Sequence, residues 1–176
     1  LSTLKTESGQ VASGGIKLNG AIVSPEDYQR NAYDLDARVE EARIRNLVNR
    51  GETLGALRAY SEFCRNFQST ISFGSLTPMM MQVIKNYVAE AKEALLTLDD
   101  RLKKRAVGLD QMSSEDRRIT DNAIKEEDAD VEAKLKSEKD GRVSWVTMSP
   151  YNKASLEETI RFGDAEISGL RERKVI

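Results

Sequence analysis

Apolar side chains recur at helical spacing along most of the chain, most regularly between residues 52 and 102. Leu54, Leu57, Tyr60, Cys64, Phe67 and Ile71 follow one another at steps of three or four, which keeps them on one stripe of a helix. Met80, Ile84, Tyr87, Ala91, Ala94, Leu95, Leu98 and Leu102 form a second stripe. Between the two, Gly74-Ser75-Leu76-Thr77-Pro78 predicts a tight break. Gly74 suits the left-handed end of one helix, Thr77 the cap of the next, and Pro78 its first turn. Two amphipathic helices with so short a connection are expected to pack antiparallel. Leu57, Tyr60, Cys64, Phe67, Ile84, Tyr87, Leu95 and Leu98 are the expected core.

Upstream, residues 1–14 are polar and rich in Gly and Ser, the composition of a mobile arm. Asn19-Gly20 between Ile16-Lys17-Leu18 and Ala21-Ile22-Val23 predicts a β-hairpin, because both turn residues tolerate positive φ. Ser24-Pro25-Glu26-Asp27 opens a helix expected to run unbroken to Arg50, with Gly51 as its stop. Its apolar positions Tyr28, Ala32, Leu35, Val39 and Ala42 repeat at four and three, and Ile44, Leu47 and Val48 then widen the stripe, which fits either coiled-coil pairing or burial in a bundle.

Downstream, Lys103-Lys104-Arg105 suits a helix C-terminus and Gly108 its end. Ser113-Ser114-Glu115-Asp116 caps a segment reaching Asp140 in which 16 of 28 residues are charged, so it is expected to be solvated or to fold against a partner. Arg142 to Met148 alternates with period two, which predicts a strand and a candidate third strand for the hairpin. Ser155-Leu156-Glu157-Glu158 predicts a capping box for a short helix interrupted at Gly163 and Gly169, ahead of the basic tail Arg171-Glu172-Arg173-Lys174. The expected fold class is mainly α: an antiparallel helical hairpin or bundle with a small N-terminal β-hairpin and one later strand. Its expected parts are an arm over 1–14, a hairpin plus three-helix core over 15–107, and a charged helix, strand and short C-terminal helix over 108–176.

Composition narrows the chemistry. At 176 residues, 39% hydrophobic and 32% charged, the chain can bury one core and keep its surfaces solvated. Its net charge of −2 sets up no chain-wide field for nucleic acid or acidic membranes. The longest uncharged run, residues 66–84, holds Ser, Thr, Gln and Pro, so no membrane span is expected, and no signal-peptide pattern is present. The sole cysteine, Cys64, sits on an apolar stripe as a small hydrophobe, and with no intrachain disulfide available the host cytoplasm or a virion assembled there is the expected compartment. The absence of histidine removes histidine bases, Ser-His-Asp and Cys-His nucleophiles and the usual zinc sites. No Gly-x-Gly-x-x-Gly or Gly-Lys-Ser/Thr loop signals a nucleotide. Neither an enzyme nor a cofactor nor a metal is expected.

Two features point outward. Every basic residue between Leu18 and Ile84 is arginine. Ion pairing with Asp34, Asp36, Glu40, Glu41, Glu52 and Glu62 accounts for this ordinarily; phosphate or interface carboxylates account for it functionally, since the guanidinium fork makes two parallel hydrogen bonds. Met79-Met80-Met81 cannot all face one core, and flexible thioethers suit an adaptable protein contact. Met79, Met80, Met81, Arg38, Arg45 and Arg58 are therefore the candidate interface residues.

The hairpin, Ser24-Pro25-Glu26, the charged helix with Asp36-Ala37-Arg38 and Glu41-Ala42-Arg43, the Arg50-Gly51-Glu52 break and the amphipathic helix pair together resemble the small terminase subunits of lambda-like phages over residues 15–102. The resemblance implies a homo-oligomer working in DNA packaging beside other virion or packaging proteins. The recognition helix that precedes the wing in that family has no counterpart in this chain, so no DNA-contact residue is carried over, and residues 106–176 of this chain have no counterpart in that family. The leading expectation is a non-enzymatic helical assembly protein that self-associates in a phage or virus-like machine. The alternatives are a monomeric helical adaptor binding a protein through residues 113–140, and nucleic-acid binding through the Arg-rich helices.

Overall fold

The computed structural model describes residues 9, 11, 12, 14–18 and 21–172. Backbone contacts group the chain into two compact units, residues 1–78 and 79–176. The sequence-based boundary at 107–108 lies within a helix.

In the first unit, β1 (Ile16–Leu18) and β2 (Ala21–Val23) pair antiparallel, with Leu18 opposite Ala21. The Asn19-Gly20 turn and the arm assigned to residues 1–14, apart from Gly9, Val11, Ala12 and Gly14, lie outside the described residues. Helix α1 (Pro25–Arg30) starts as its sequence predicts: the Ser24 hydroxyl accepts the Asp27 amide at 3.1 Å. The single helix expected to reach Arg50 is divided at Asn31, whose backbone amide and side-chain amide both donate to the Asp27 carbonyl, at 3.1 and 3.2 Å. Helix α2 (Ala32–Asn49) then ends at Gly51, which takes φ +74°. The Gly51 amide bonds the Val48 carbonyl and the Glu52 amide bonds the Leu47 carbonyl, a Schellman end that needs glycine's freedom.

The buried face of α2 follows the expected stripe at Leu35 and Ile44 and departs from it elsewhere. Val39 and Ala42 are exposed, whereas Ala37 is fully buried and Glu41 lies between Ala37 and Ile44 on the same side. Helix α3 (Thr53–Asn66) buries Ala56, Leu57, Tyr60, Phe63 and Cys64, and its backbone approaches α2 closely. Phe67, expected in the core, is only half-buried, against the rings of Tyr33 and Phe63.

The break between the two amphipathic helices falls at residues 67–70, ahead of the predicted site. The Thr70 hydroxyl accepts the Phe73 amide at 3.2 Å and caps helix α4 (Ile71–Leu96), which continues through Gly74 and Pro78. Ile71 is consequently exposed, while Phe73, Leu76, Met80, Ile84, Tyr87 and Ala91 form one buried stripe. Pro78 leaves the Gly74 carbonyl without its intrahelical donor. The Thr77 hydroxyl donates to the Phe73 carbonyl at 2.6 Å and accepts the Tyr60 hydroxyl at 3.0 Å, tying α3 to the first turns of α4. The division between the units lies inside α4, after Pro78.

In the second unit α4 stops at Leu96, and α5 (Leu98–Asp110) passes Gly108, where an end was expected. Leu98 is buried but Leu95 is only half-buried. Helix α6 (Ser114–Asp140) has the predicted cap, the Ser113 hydroxyl accepting the Asp116 amide at 3.2 Å, and turns back beside α5. Arg142 to Met148 forms no strand and joins no sheet; the only ladder among the described residues is β1–β2. Trp145, the sole tryptophan, is instead fully buried, edge-on to Tyr87 and Phe162 at 6.0 and 4.9 Å between centroids. Helix α7 (Lys153–Glu172) is capped by the Asn152 carboxamide, which accepts the Ser155 amide at 2.8 Å, three residues before the predicted cap. It runs through Gly163 and Gly169 without interruption.

Gly163 is fixed by packing. A Cβ there would stand 2.2 Å from Val88 Cγ2 and 3.2 Å from the Trp145 ring, whereas one at Gly169 would meet nothing within 4 Å. Gly163→Ala is expected to lower stability by about 1–3 kcal/mol through overpacking. Gly169→Ala is expected to be neutral or to add up to about 1 kcal/mol through helix propensity. Urea unfolding of both variants checks this; equal midpoints would contradict the close approach.

Candidate functional site

The six candidate interface residues divide between the units. Met80 is fully buried and offers no surface to a partner, while Met79 and Met81 are half-buried. Arg38 is exposed and lines a shallow hollow beside Asp34, and Arg58 is half-buried. Arg45 is committed within the fold. Its Nε and Nη2 donate to Glu41 Oε1 at 2.9 and 2.8 Å, and Nη2 also donates to the Ser75 hydroxyl at 2.9 Å. That hydroxyl in turn donates to Glu41 at 2.8 Å, so α2 is pinned to the start of α4. Arg43 pairs with Glu40 and Arg50 with Glu52, each at 2.9 Å, which is the ordinary reading of these arginines.

Burial alone would raise the Glu41 carboxyl. Hydrogen bonds from Ser72, Arg45 and Ser75, with the Arg45 charge, outweigh it and hold the group below the ordinary carboxylate range.

In the second unit the surface carries three distinct features. At the α5–α6 turn, an Asp110–Arg117 ion pair of 2.9 Å spans the ends of the two helices. In the adjoining turns of α5 and α6 and in the turn itself, Val107, Ile119 and Met112 are 54%, 56% and 42% exposed, an apolar tip on otherwise charged helices.

A groove of about 590 Å³ runs between α6 and residues 147–150. Ala123, Glu126, Glu127, Asp130, Val131 and Lys134 line it from the helix, and Thr147, Met148, Ser149 and Pro150 from the opposite wall. The helix residues share one stripe, which Ile119 continues a turn upstream.

A second groove, of about 450 Å³, lies at the C-terminal end of α6, where Lys139, Arg142 and Arg161 surround Glu158 over Val143, Val146 and Phe162. Glu158 accepts from Arg161 and sits 3.8 Å from Lys139. The Arg161 hydrogen bond is the main reason its carboxyl lies below the ordinary range, with burial opposing and Lys139 assisting.

Arg142 occupies the left-handed region at φ +51°. Its amide bonds the Lys139 carbonyl and the Val143 amide bonds the Glu138 carbonyl, so α6 has the same Schellman end as α2 with arginine in the glycine position. That conformation costs a non-glycine residue about 1–2 kcal/mol. Helix α6 ends at Asp140 with Gly141 as its C-cap at φ −74°, and the left-handed residue is the next one, Arg142. No signal in the sequence distinguishes Arg142 from other surface arginines. Glu126, Glu127 and Asp130 were legible as a charged face, and the wall that makes them a groove was read as a strand. No group of His, Cys, Asp and Glu among the described residues is arranged to hold a metal, and no helix there is long and apolar enough to cross a membrane.

These features define a mainly α protein. The chain matches no known protein family, no curated protein and no solved structure.

The depressed Glu41 carboxyl links stability to pH. The folded group ionises more readily than the unfolded one, so its contribution is present above the unfolded value near 4.5 and is lost as pH falls through the folded value. Glu41→Gln is expected to lower the urea midpoint clearly at pH 7 and progressively less below pH 4.5. A deficit independent of pH would show that the charge of Glu41 contributes nothing.

Proposed function

We propose that this is a non-enzymatic helical assembly protein that works by self-association. The observation that carries the reading is the apolar tip of the α5–α6 hairpin, where Val107, Met112 and Ile119 remain exposed beside helices otherwise covered with charge. Exposed apolar groups gathered at one place favour protein contact more than the same groups scattered singly. The most specific form of the reading is a small-terminase-like component of phage DNA packaging, in the company of other virion or packaging proteins. It draws on the sequence resemblance over residues 15–102. Arg43, Arg45 and Arg50 are engaged in ion pairs within the chain, which argues against phosphate binding by those side chains.

A second reading is favoured by the groove along α6: a monomeric adaptor that takes a protein partner through residues 113–140. Mass in solution separates the two. Self-association predicts a light-scattering mass at tens of micromolar that is a multiple of 19.7 kDa. It further predicts that Val107→Ser with Ile119→Ser shifts the mass toward the monomer without loss of helicity. A wild-type chain that stays monomeric throughout would overturn the assembly reading and leave the adaptor.

A further inference from the structure

The two grooves of the second unit mirror each other in charge. Along α6, Glu126, Glu127 and Asp130 face one lysine, Lys134, and none of the three carboxylates has an ion-pair partner among the described residues. At the C-terminal end of α6, Lys139, Arg142 and Arg161 face one carboxylate, Glu158. Glu158 is shared between Lys139 and Arg161, which leaves Arg142 without an ion-pair partner there. Each groove has an apolar floor, Val131 and Met148 in the first, Val143 and Phe162 in the second.

Arg142 supplies an independent observation. A Schellman turn is best made by glycine, yet this chain holds in the left-handed position an arginine with no ion-pair partner among the described residues, with Gly141 beside it. The turn does not require that side chain. Backbone strain retained without a local reason directs attention to what the side chain does elsewhere.

We infer that a second copy of this chain docks by setting its acidic groove against the cationic groove of the first, with the Arg142 guanidinium reaching Glu127 and its acidic neighbours across the contact. Both halves of the match lie within one chain, at inverted charge ratios, while the net charge of −2 provides no general attraction for a foreign polyion. This rests on the self-association reading and names its contact chemistry. The acidic groove lies on the stripe that Ile119 extends, so this residue of the apolar tip and the groove share one helix face.

Sedimentation velocity on the full chain tests it with Arg142→Glu, Glu127→Arg and their mixture. Wild type is expected to associate, more weakly at high salt. Each single reversal sets like charges together and is expected to raise the dissociation constant roughly tenfold or more, and the mixture to recover most of that loss. Arg142→Gly removes the cation while easing the backbone, so it is expected to melt higher than wild type yet associate less. If wild type associates and the reversals leave it unchanged, the grooves are not the contact, although self-association stands. Reversals that weaken association without recovery in the mixture also overturn the pairing. A monomeric wild type removes both readings.

Discussion

Burying a stretch of chain that is neither helix nor sheet sets the strictest condition on the second unit. Residues 143–149 carry Trp145 and Val146 into the interior, and their polar backbone must find partners that no ladder supplies. The Glu138 carboxylate, itself buried, accepts both the amide and the hydroxyl of Thr147 at 2.6 Å. The fully buried Ser155 hydroxyl accepts the Ser149 amide at 3.0 Å and donates to the Asn152 carbonyl at 2.9 Å. One of these anchors lies in the last turn of α6 and the other in the first turn of α7, so the position of the segment depends on how each helix ends. The two grooves follow from this arrangement: Thr147 to Pro150 forms a wall of one, and Val143 to Val146 contributes to the floor of the other.

The first unit solves a similar problem with a charge. Glu41 lies half-buried on the inward side of α2, where an ionised carboxylate is tolerated because it is paired and hydrogen-bonded. Arg45 one turn away and Ser75 across the fold supply those bonds. The result is directional, since the serine hydroxyl donates to the carboxylate and accepts from the guanidinium. The rotation of α2 that places Glu41 in this network also turns Ala37 and Ile44 inward and Val39 toward water.

That rotation shows where sequence reasoning succeeds and where it fails. The helices, the hairpin strands and the Ser24, Ser113 and Gly51 signals were legible because each depends on neighbours in the chain. The face of α2 was legible only in part: Leu35 and Ile44 are buried as expected, but periodicity counts Glu41 as polar and places it outside. Gly74 and Pro78 look like punctuation, yet the stripe from Phe73 to Ala91 passes straight through them, and burial of six side chains outweighs one missing helical hydrogen bond. Residues 142–148 have the pattern of a strand, but a strand exists only with a partner, and Trp145 gains more from Tyr87 and Phe162 than from a ladder. Gly163 looked like an interruption because sequence cannot show the Val88 methyl pressed against it. Of the candidate interface, Met80 was lost to the core and Arg45 to an internal network, while the grooves depend on a wall that only tertiary structure supplies.

The single thiol and the single indole fall in different units, Cys64 inside α3 and Trp145 behind α7, both almost sealed from water. Alkylation therefore times the opening of one half of the molecule, while the emission wavelength of the indole follows wetting of the other. A chain with one reporter in each half reveals, without any label, whether its two parts come undone together or in sequence.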